Sequence, residues 1–278
     1  MDKASTVSIS IIIPTYNAQK TLRDCLESII KQDTTGFEVW IIDAESTDET
    51  ISIVEEYKLN HPFIHYISEG DDGIYDAMNK GILKCNGDWI YFLGSDDILY
   101  NNSVLSKIKT HAKQTSSLII YGNVIMRGKN QWNLDNVVFN GEYNLEKMLM
   151  TNMCHQSIFY HKTIFHKFGN YNLDYISSAD QDFNLRCYAN TTFEYLDIII
   201  ANFFVGGHST LVEDIKFNQD RGALWLRYFG KRIFNKSFLS ARLYIQKAAF
   251  SLSSPLNLIE RFYCLIAYLK LKIQSIFI

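Results

Sequence analysis

Hydrophobic and polar positions over the first hundred residues switch repeatedly between two periods. Val7 to Ile13 is a short run rich in β-branched residues and reads as a buried strand. Leu22, Cys25, Leu26, Ile29 and Ile30 then recur three and four apart, the spacing of an amphipathic helix. Phe37 to Ile42 predicts a second strand ending at Asp43. Ser46-Thr47-Asp48-Glu49 has the form of a capping box for a helix over Ile51 to Tyr57. A third strand is expected from Phe63 to Ile67, then a helix from Ile74 to Cys85 with Asn86-Gly87 as its stop. Trp89 to Leu93 predicts a fourth strand, followed at once by Gly94-Ser95-Asp96-Asp97.

Alternating strands and helices imply a parallel sheet covered on both faces. Ligands in such sheets bind beyond the carboxyl ends of the strands. Pro14-Thr15-Tyr16-Asn17, Asp43 and Asp96-Asp97 all fall at such ends. Three polar clusters are therefore expected to meet at one crevice, suited to a nucleotide or a phosphate. From Ser103 to Phe204 the pattern is mixed. Strands are expected over Leu118 to Tyr121, Ser157 to Tyr160, Phe193 to Leu196 and Ile198 to Val205, and a helix over Asp180 to Tyr188. Gly206-Gly207 breaks the pattern, and a boundary is drawn between residues 1–210 and 211–278. The second part reads as basic amphipathic helices, because from Arg221 onward Glu260 is the lone acid among many Lys, Arg, Leu, Ile, Phe and Tyr.

Composition narrows the class. The chain has 278 residues, enough for one large domain or one with an appendage. A hydrophobic fraction of 47% with 21% charged residues describes a globular protein and excludes a disordered one. A net charge of −3 gives no drive toward nucleic acid, which is not an expected partner. The five cysteines have neither zinc-clip nor C-x-x-C spacing, and their odd count and wide spacing favour reduced thiols in a cytoplasm. The first apolar run is too short for a signal peptide, and no stretch of about 20 apolar residues predicts a membrane span.

Four segments in order, SISIIIPTYN, IIDAESTDET, SEGDDGIYDAMNKGI and YFLGSDD, resemble family 2 glycosyltransferases of the bacterial O-antigen, capsule and exopolysaccharide type. The resemblance covers Val7 to Ser209. It implies the α/β GT-A fold: a mainly parallel central sheet flanked by helices, here with a helical C-terminal extension. Ala44 and Glu45 stand where the family often has glycines, and Ser95-Asp96-Asp97 stands for the usual Asp-x-Asp. The Gln-x-x-Arg-Trp signature of processive members is absent, which favours single-sugar transfer.

The resemblance also implies roles. Asp97 would bind Mn²⁺ or Mg²⁺, and Asp96 the donor ribose or sugar; read alone, the pair is equally an acidic turn capping the next helix. Pro14, Thr15, Tyr16, Asn17 and Asp43 would form the base and ribose pocket, with Asp43 accepting a uracil N3–H and Tyr16 stacking on the ring. Asp76, Asn79 and Lys80 share a helix face that would hold ribose and base, or else form a solvated face with an Asp76–Lys80 ion pair. Asp180, opening a helix with Ala179 in place of the family's Glu, would be the catalytic base. Asp182 is the alternative, and otherwise caps the helix or pairs with Arg186. His155 and Gln156 would lie near the acceptor, and His208 would ligate the metal or touch the diphosphate.

The expected function is a non-processive, inverting transfer from a nucleotide diphosphate sugar, UDP-linked by preference, to a saccharide on a polyprenyl diphosphate carrier. The expected place is the cytoplasm, peripheral at the inner face of the cytoplasmic membrane. The basic tail would dock on that membrane surface or pack in a homo-oligomer. Two other readings are a sugar nucleotidyltransferase and a non-catalytic nucleotide-sugar-binding protein. The first would need a Gly-rich basic loop after the first strand, where this chain has no Gly and only Lys20.

Overall fold

The computed structural model describes residues 8–128, 134–205 and 212–276. The alternation of periods becomes β1 (Ile9–Thr15), α1 (Leu22–Ile30), β2 (Phe37–Asp43), α2 (Thr50–Asn60), β3 (Ile64–Ser68), α3 (Ile74–Lys84) and β4 (Trp89–Phe92). These are followed by β5 (Ile98–Leu99), α4 (Val104–Ala112), β6 (Ile119–Arg127), β7 (Val138–Phe139) and α5 (Leu145–Met150). Then come β8 (Ile158–His161), α6 (Thr163–Phe168), α7 (Ala179–Tyr188) and β9 (Phe193–Phe204). Last are α8 (Ile215–Phe229), α9 (Arg242–Phe250) and α10 (Leu258–Gln274).

Among the described residues these strands form one sheet, in the order β3-β2-β1-β4-β8-β6-β9-β5, with β7 beside β6. β3, β2, β1 and β4 are mutually parallel, while β8 runs antiparallel to both β4 and β6. Every residue of β1 is buried, which is why this strand carries a near-continuous apolar run instead of an alternation. Leu22, Cys25, Leu26 and Ile29 form the buried stripe of α1. Their burial contributes about 1.5–3 kcal/mol for each large aliphatic side chain.

Three local expectations are corrected. Ser46–Glu49 does not form a capping box: Ser46 turns back to Asp43, and Asp48 accepts from the Thr50 N–H at 3.0 Å. The capping box in this chain opens α10, where Asn257 and Glu260 bond each other's backbone N–H. Gly87 is not a left-handed stop. It lies against β1, where a Cβ would come within 2.7 Å of the Ser10 backbone nitrogen. The two strands expected over 193–205 are one, β9, continuous through exposed Asp197. Irregular register with β6 around Asn123 allows this, and Asn123 donates to both the Tyr195 hydroxyl and Asp197.

The boundary at 210/211 also changes. The first compact unit is Met1–Glu142, Cys154–Leu173 and Thr192–Leu211, and it contains the whole sheet. The second is Tyr143–Met153, Asp174–Thr191 and Val212–Ile278. The C-terminal helices are grouped with α5 and α7, and side-chain hydrogen bonds join α7 to α8. Tyr228 donates to Asp182 at 2.6 Å, and Arg221 donates to Gln181 at 2.9 Å. An aromatic core of Trp225, Phe229, Phe238 and Tyr244 holds this unit.

α8 passes close to α9 at Gly222, where a built Cβ would strike the Tyr244 carbonyl and come within 2.7 Å of Ala248 Cβ. Gly222→Ala should therefore destabilise the protein by about 1–3 kcal/mol despite its better helix propensity. A thermal melt reads this directly, and an unchanged or raised Tm would refute the close approach.

Candidate functional site

Parallel register aligns the strand tips. Thr15 of β1 stands opposite Asp43 of β2, which stands opposite Ser68 of β3. Asp43 is fully buried. Its carboxylate accepts from the Ser46 N–H at 3.0 Å, the Ser46 hydroxyl at 2.5 Å and the Ser68 hydroxyl at 2.7 Å. Asp43 thus anchors its own loop. Ser68 was missed by sequence reading, although pairing the ends of adjacent strands would have found it.

The loop after β1 is laced to the loop after β2. Asn17, in the left-handed region at φ 47°, receives the Ser46 hydroxyl as acceptor for its N–H and accepts the Thr47 N–H on its side chain at 2.9 Å. The Ala18 N–H donates to Thr50 Oγ1 at 2.8 Å, and Gln19 and Asp48–Glu49 exchange further bonds. Pro14 and Thr15 are buried beneath this rim, and Thr15 donates to the Ile13 carbonyl at 3.0 Å. Tyr16 is 64% exposed on top of it, a free aromatic face of the kind a planar base can stack on.

On helix α3 the Asp76–Lys80 ion pair read from the i, i+4 spacing is present. Lys80 bonds the Gly70 carbonyl at 2.6 Å and pairs with Asp76 at 3.2 Å and Glu69 at 3.3 Å. Asn79 spans the Tyr171 backbone, donating to its carbonyl and accepting from its N–H, both at 3.0 Å. Lys80 secures the turn before α3 and Asn79 secures the chain after α6. Both are tied to the protein's own backbone, and sequence spacing gave no sign of the Gly70 and Tyr171 partners.

Asp96 and Asp97 follow β4. Neither side chain would fit over a non-glycine at position 94: a Cβ there would meet Asp97 at 2.5 Å and Asp96 at 2.8 Å. Asp97 is 1% exposed. Its carboxylate accepts the Phe204 N–H at 2.8 Å and the Gln156 side-chain amide at 2.6 Å. Burial and the neighbouring Asp96 push Asp97 up to about 7, against the pull of these two donors and of His155. Burial also raises Asp96, again opposed by His155.

His155 and Gln156, expected near an acceptor, are therefore part of the carboxylate site. Gln156 is fixed further by the Tyr91 hydroxyl, which donates to its carbonyl at 2.9 Å. A cavity of about 650 Å³ reaches Asp96, lined also by Asp24, Ser28, Lys31, Tyr100 and Phe204. Its walls include none of Pro14 to Asn17, Asp43 or Asp76. His208 lies outside the described residues.

Two adjacent acids whose ionisation is opposed by burial are a place where positive charge is wanted. Among the described residues no group of three or more His, Cys, Asp or Glu is placed to hold a metal. Two carboxylates suit a hard cation that prefers oxygen ligands and shares its shell with phosphate and water. Each Asp97 oxygen has one hydrogen bond and keeps a lone pair.

The same acid sets a pH dependence. Its ordinary value is 3.8 and its value in the fold about 7, so the cation-free protein gains a proton on folding between them. The stability contributed by protonated Asp97 is complete below about pH 4 and lost as pH rises through 7, at about 1.4 kcal/mol per pH unit. With chelator present, the Tm of the protein relative to Asp97→Asn should fall across that interval. A relative Tm that rises or stays level would contradict the burial argument.

In the second unit, Asp180 and Asp182 open α7 and are both buried. Asp180 accepts from Asn152 and from the Gln181 N–H, each at 2.9 Å. Asp182 has Arg186 at 3.0 Å on one oxygen and Tyr228 at 2.6 Å on the other. Burial raises Asp182 while Arg186 and Tyr228 restrain it. Asp182 thus makes the i, i+4 pair with Arg186 read from the sequence.

A family model described as Glycosyl transferase family 2 matches residues 10–177. A PGL/p-HBAD biosynthesis glycosyltransferase of Mycobacterium bovis is 38% identical over 217 residues, 75% of this chain and 81% of that protein. Chondroitin synthase of Escherichia coli is 28% identical over 258 residues, 90% of this chain and 35% of that protein, so the chain spans about a third of its length. Among solved structures, Staphylococcus aureus TarS 1–349 in complex with UDP-GlcNAc superposes with a TM-score of 0.64 at 20% identity, over 96% of this chain and 73% of that one. The mannosyltransferase PcManGT from Pyrobaculum calidifontis, in complex with GDP-Man and Mn²⁺, gives 0.59 at 19% identity, over 95% and 76%. The structural likeness carries the GT-A fold, while the family model spans the strand tips, the laced loops and the paired aspartates, and on that match the chain belongs to glycosyl transferase family 2.

Proposed function

We propose that this glycosyltransferase is metal-dependent and non-processive, and that it moves one sugar, with inversion, from a UDP-sugar to a saccharide carried on a polyprenyl diphosphate. The observation that carries the reading is the Asp96–Asp97 pair at the tip of β4, in the same unit as the aligned tips of β1, β2 and β3. The neighbours solved with UDP-GlcNAc and with GDP-Man and Mn²⁺ are in line with a nucleotide sugar and a divalent cation.

In this reading Asp97 would hold the cation, Mn²⁺ or Mg²⁺, and Asp96 would meet the donor ribose or sugar. The chemistry such a cation supplies is neutralisation of the charge that grows on the departing diphosphate. Tyr16 stacks on the base. Asp43 and the laced loops keep the rim of the base pocket fixed. Gln156 holds the Asp97 carboxylate in one orientation. Asp180 takes the acceptor hydroxyl proton as the new C–O bond forms and the anomeric bond to the diphosphate breaks. The product is a saccharide lengthened by one sugar, made at the inner face of the cytoplasmic membrane for a surface polysaccharide.

A melting screen of UDP-, GDP- and dTDP-sugars with and without Mn²⁺ tests this. UDP at about 100 times its Kd should raise Tm by about 5–10 °C, and only with metal present. If no nucleotide sugar shifts the melt in either condition, the donor site is not where we place it. A GDP-sugar as the sole stabiliser would overturn the choice of base.

A further inference from the structure

The second unit ends in a helix that is apolar on two sides. The inner stripe of α10 is Cys264, Ala267 and Leu271, all buried, and the helix packs there against α9 and the turn at Gly230–Phe234. An interior stripe of that kind is ordinary. The outer stripe is not. Ile259, Phe262, Ile266, Leu269 and Ile273 recur at three- and four-residue intervals and are all exposed, Phe262 at 61% and Ile273 at 58%. Phe250 and Leu252, just before the helix, are exposed as well. A contiguous exposed apolar face of this length marks a contact surface.

Charge selects the occupant. From Arg221 to the end, ten Lys and Arg face one acid, Glu260. That acid is committed to the capping box with Asn257. A second copy of this chain would bring the same excess of positive charge to the contact. An anionic lipid surface would bring the opposite charge together with an apolar layer. Lys270 and Lys272 are exposed on the same helix, and their long stems can lie along the apolar stripe while the ammonium groups reach head groups. No helix among the described residues is long and apolar enough to cross a membrane.

From the continuous outer stripe and the one-sided charge, we infer that α10 lies flat on an anionic bilayer, with Phe262, Ile266 and Ile273 in the boundary between head groups and acyl chains. The inference does not depend on the assignment of the nucleotide site.

Co-sedimentation of the full chain with vesicles decides the matter. The protein should pellet with phosphatidylcholine vesicles containing phosphatidylglycerol, less with phosphatidylcholine alone, and less again at high salt. Phe262→Ser combined with Ile266→Ser should lower the partition coefficient about tenfold or more. Lys270→Ser combined with Lys272→Ser should abolish the preference for anionic vesicles. Because these positions are on the surface, the Tm of each variant should match that of the parent. Failure of the parent to pellet, or equal pelleting of the Phe262 and Ile266 variant, would overturn the inference. So would a dimer in sedimentation velocity that this variant dissolves, since the face would then belong to a second copy.

Discussion

Asp97→Ala abolishes the metal-dependent stabilisation by UDP and lowers kcat/KM for sugar transfer by about a thousandfold or more. That is the largest effect expected from the site. Electrostatic relief of a leaving diphosphate is worth several kcal/mol, and each 1.4 kcal/mol is tenfold in rate. The variant has a second consequence in the resting protein. It leaves the Phe204 N–H and the Gln156 amide without their acceptor, at about 1–3 kcal/mol for each buried donor. It also removes a carboxylate that burial disfavours. Asp97→Asn separates these terms, because it keeps an oxygen for Phe204 while discarding the charge. Both variants should lose the response to Mn²⁺, with the asparagine form melting higher. If either one binds UDP with unchanged metal dependence, the cation is held elsewhere.

Asp180→Asn is the second large effect, and it should divide binding from chemistry. The substitution preserves shape and an oxygen for the Asn152 amide. UDP-dependent stabilisation should therefore persist, while turnover falls about 10²- to 10⁴-fold with the loss of a proton acceptor. Asp182→Asn provides the contrast. Its carboxylate pairs with Arg186 and Tyr228 in a buried setting, and removing the charge breaks the ion pair with the guanidinium. The expected result there is a loss of about 3–5 kcal/mol in stability. Near-normal turnover by Asp180→Asn would move the base to another residue.

How far the sequence could be read depended on whether a feature was local. The parallel half of the sheet followed from the change in hydrophobic period, because strands buried on both faces and helices buried on one leave distinct patterns. The acidic tips of β2 and β4 were visible for the same reason, as polar residues that end apolar runs. What neighbours those tips was not visible. Gln156 reaches Asp97 across 59 positions of sequence, and Asn79 reaches the Tyr171 backbone across 92. No spacing rule covers such distances. The capping box assigned to Ser46–Glu49 failed because Asp43, one turn upstream, competes for the Ser46 hydroxyl. The boundary near residue 210 missed α5 and α7: α5 is only six residues long, and α7 is buried almost all round, so neither has a distinct apolar stripe to show what it packs on. The bonds from α7 to α8 show where α7 belongs.

The bonds between the loops after β1 and β2 bear on any attempt to redesign donor preference. Residues 17–19 and 46–50 are joined by reciprocal side-chain and backbone contacts, so neither segment holds its conformation independently. Grafting one of them from a homologue with another nucleotide preference would leave the partner segment with orphaned donors and acceptors. The two must be transplanted together, and single substitutions in one should show strong epistasis with the sequence of the other.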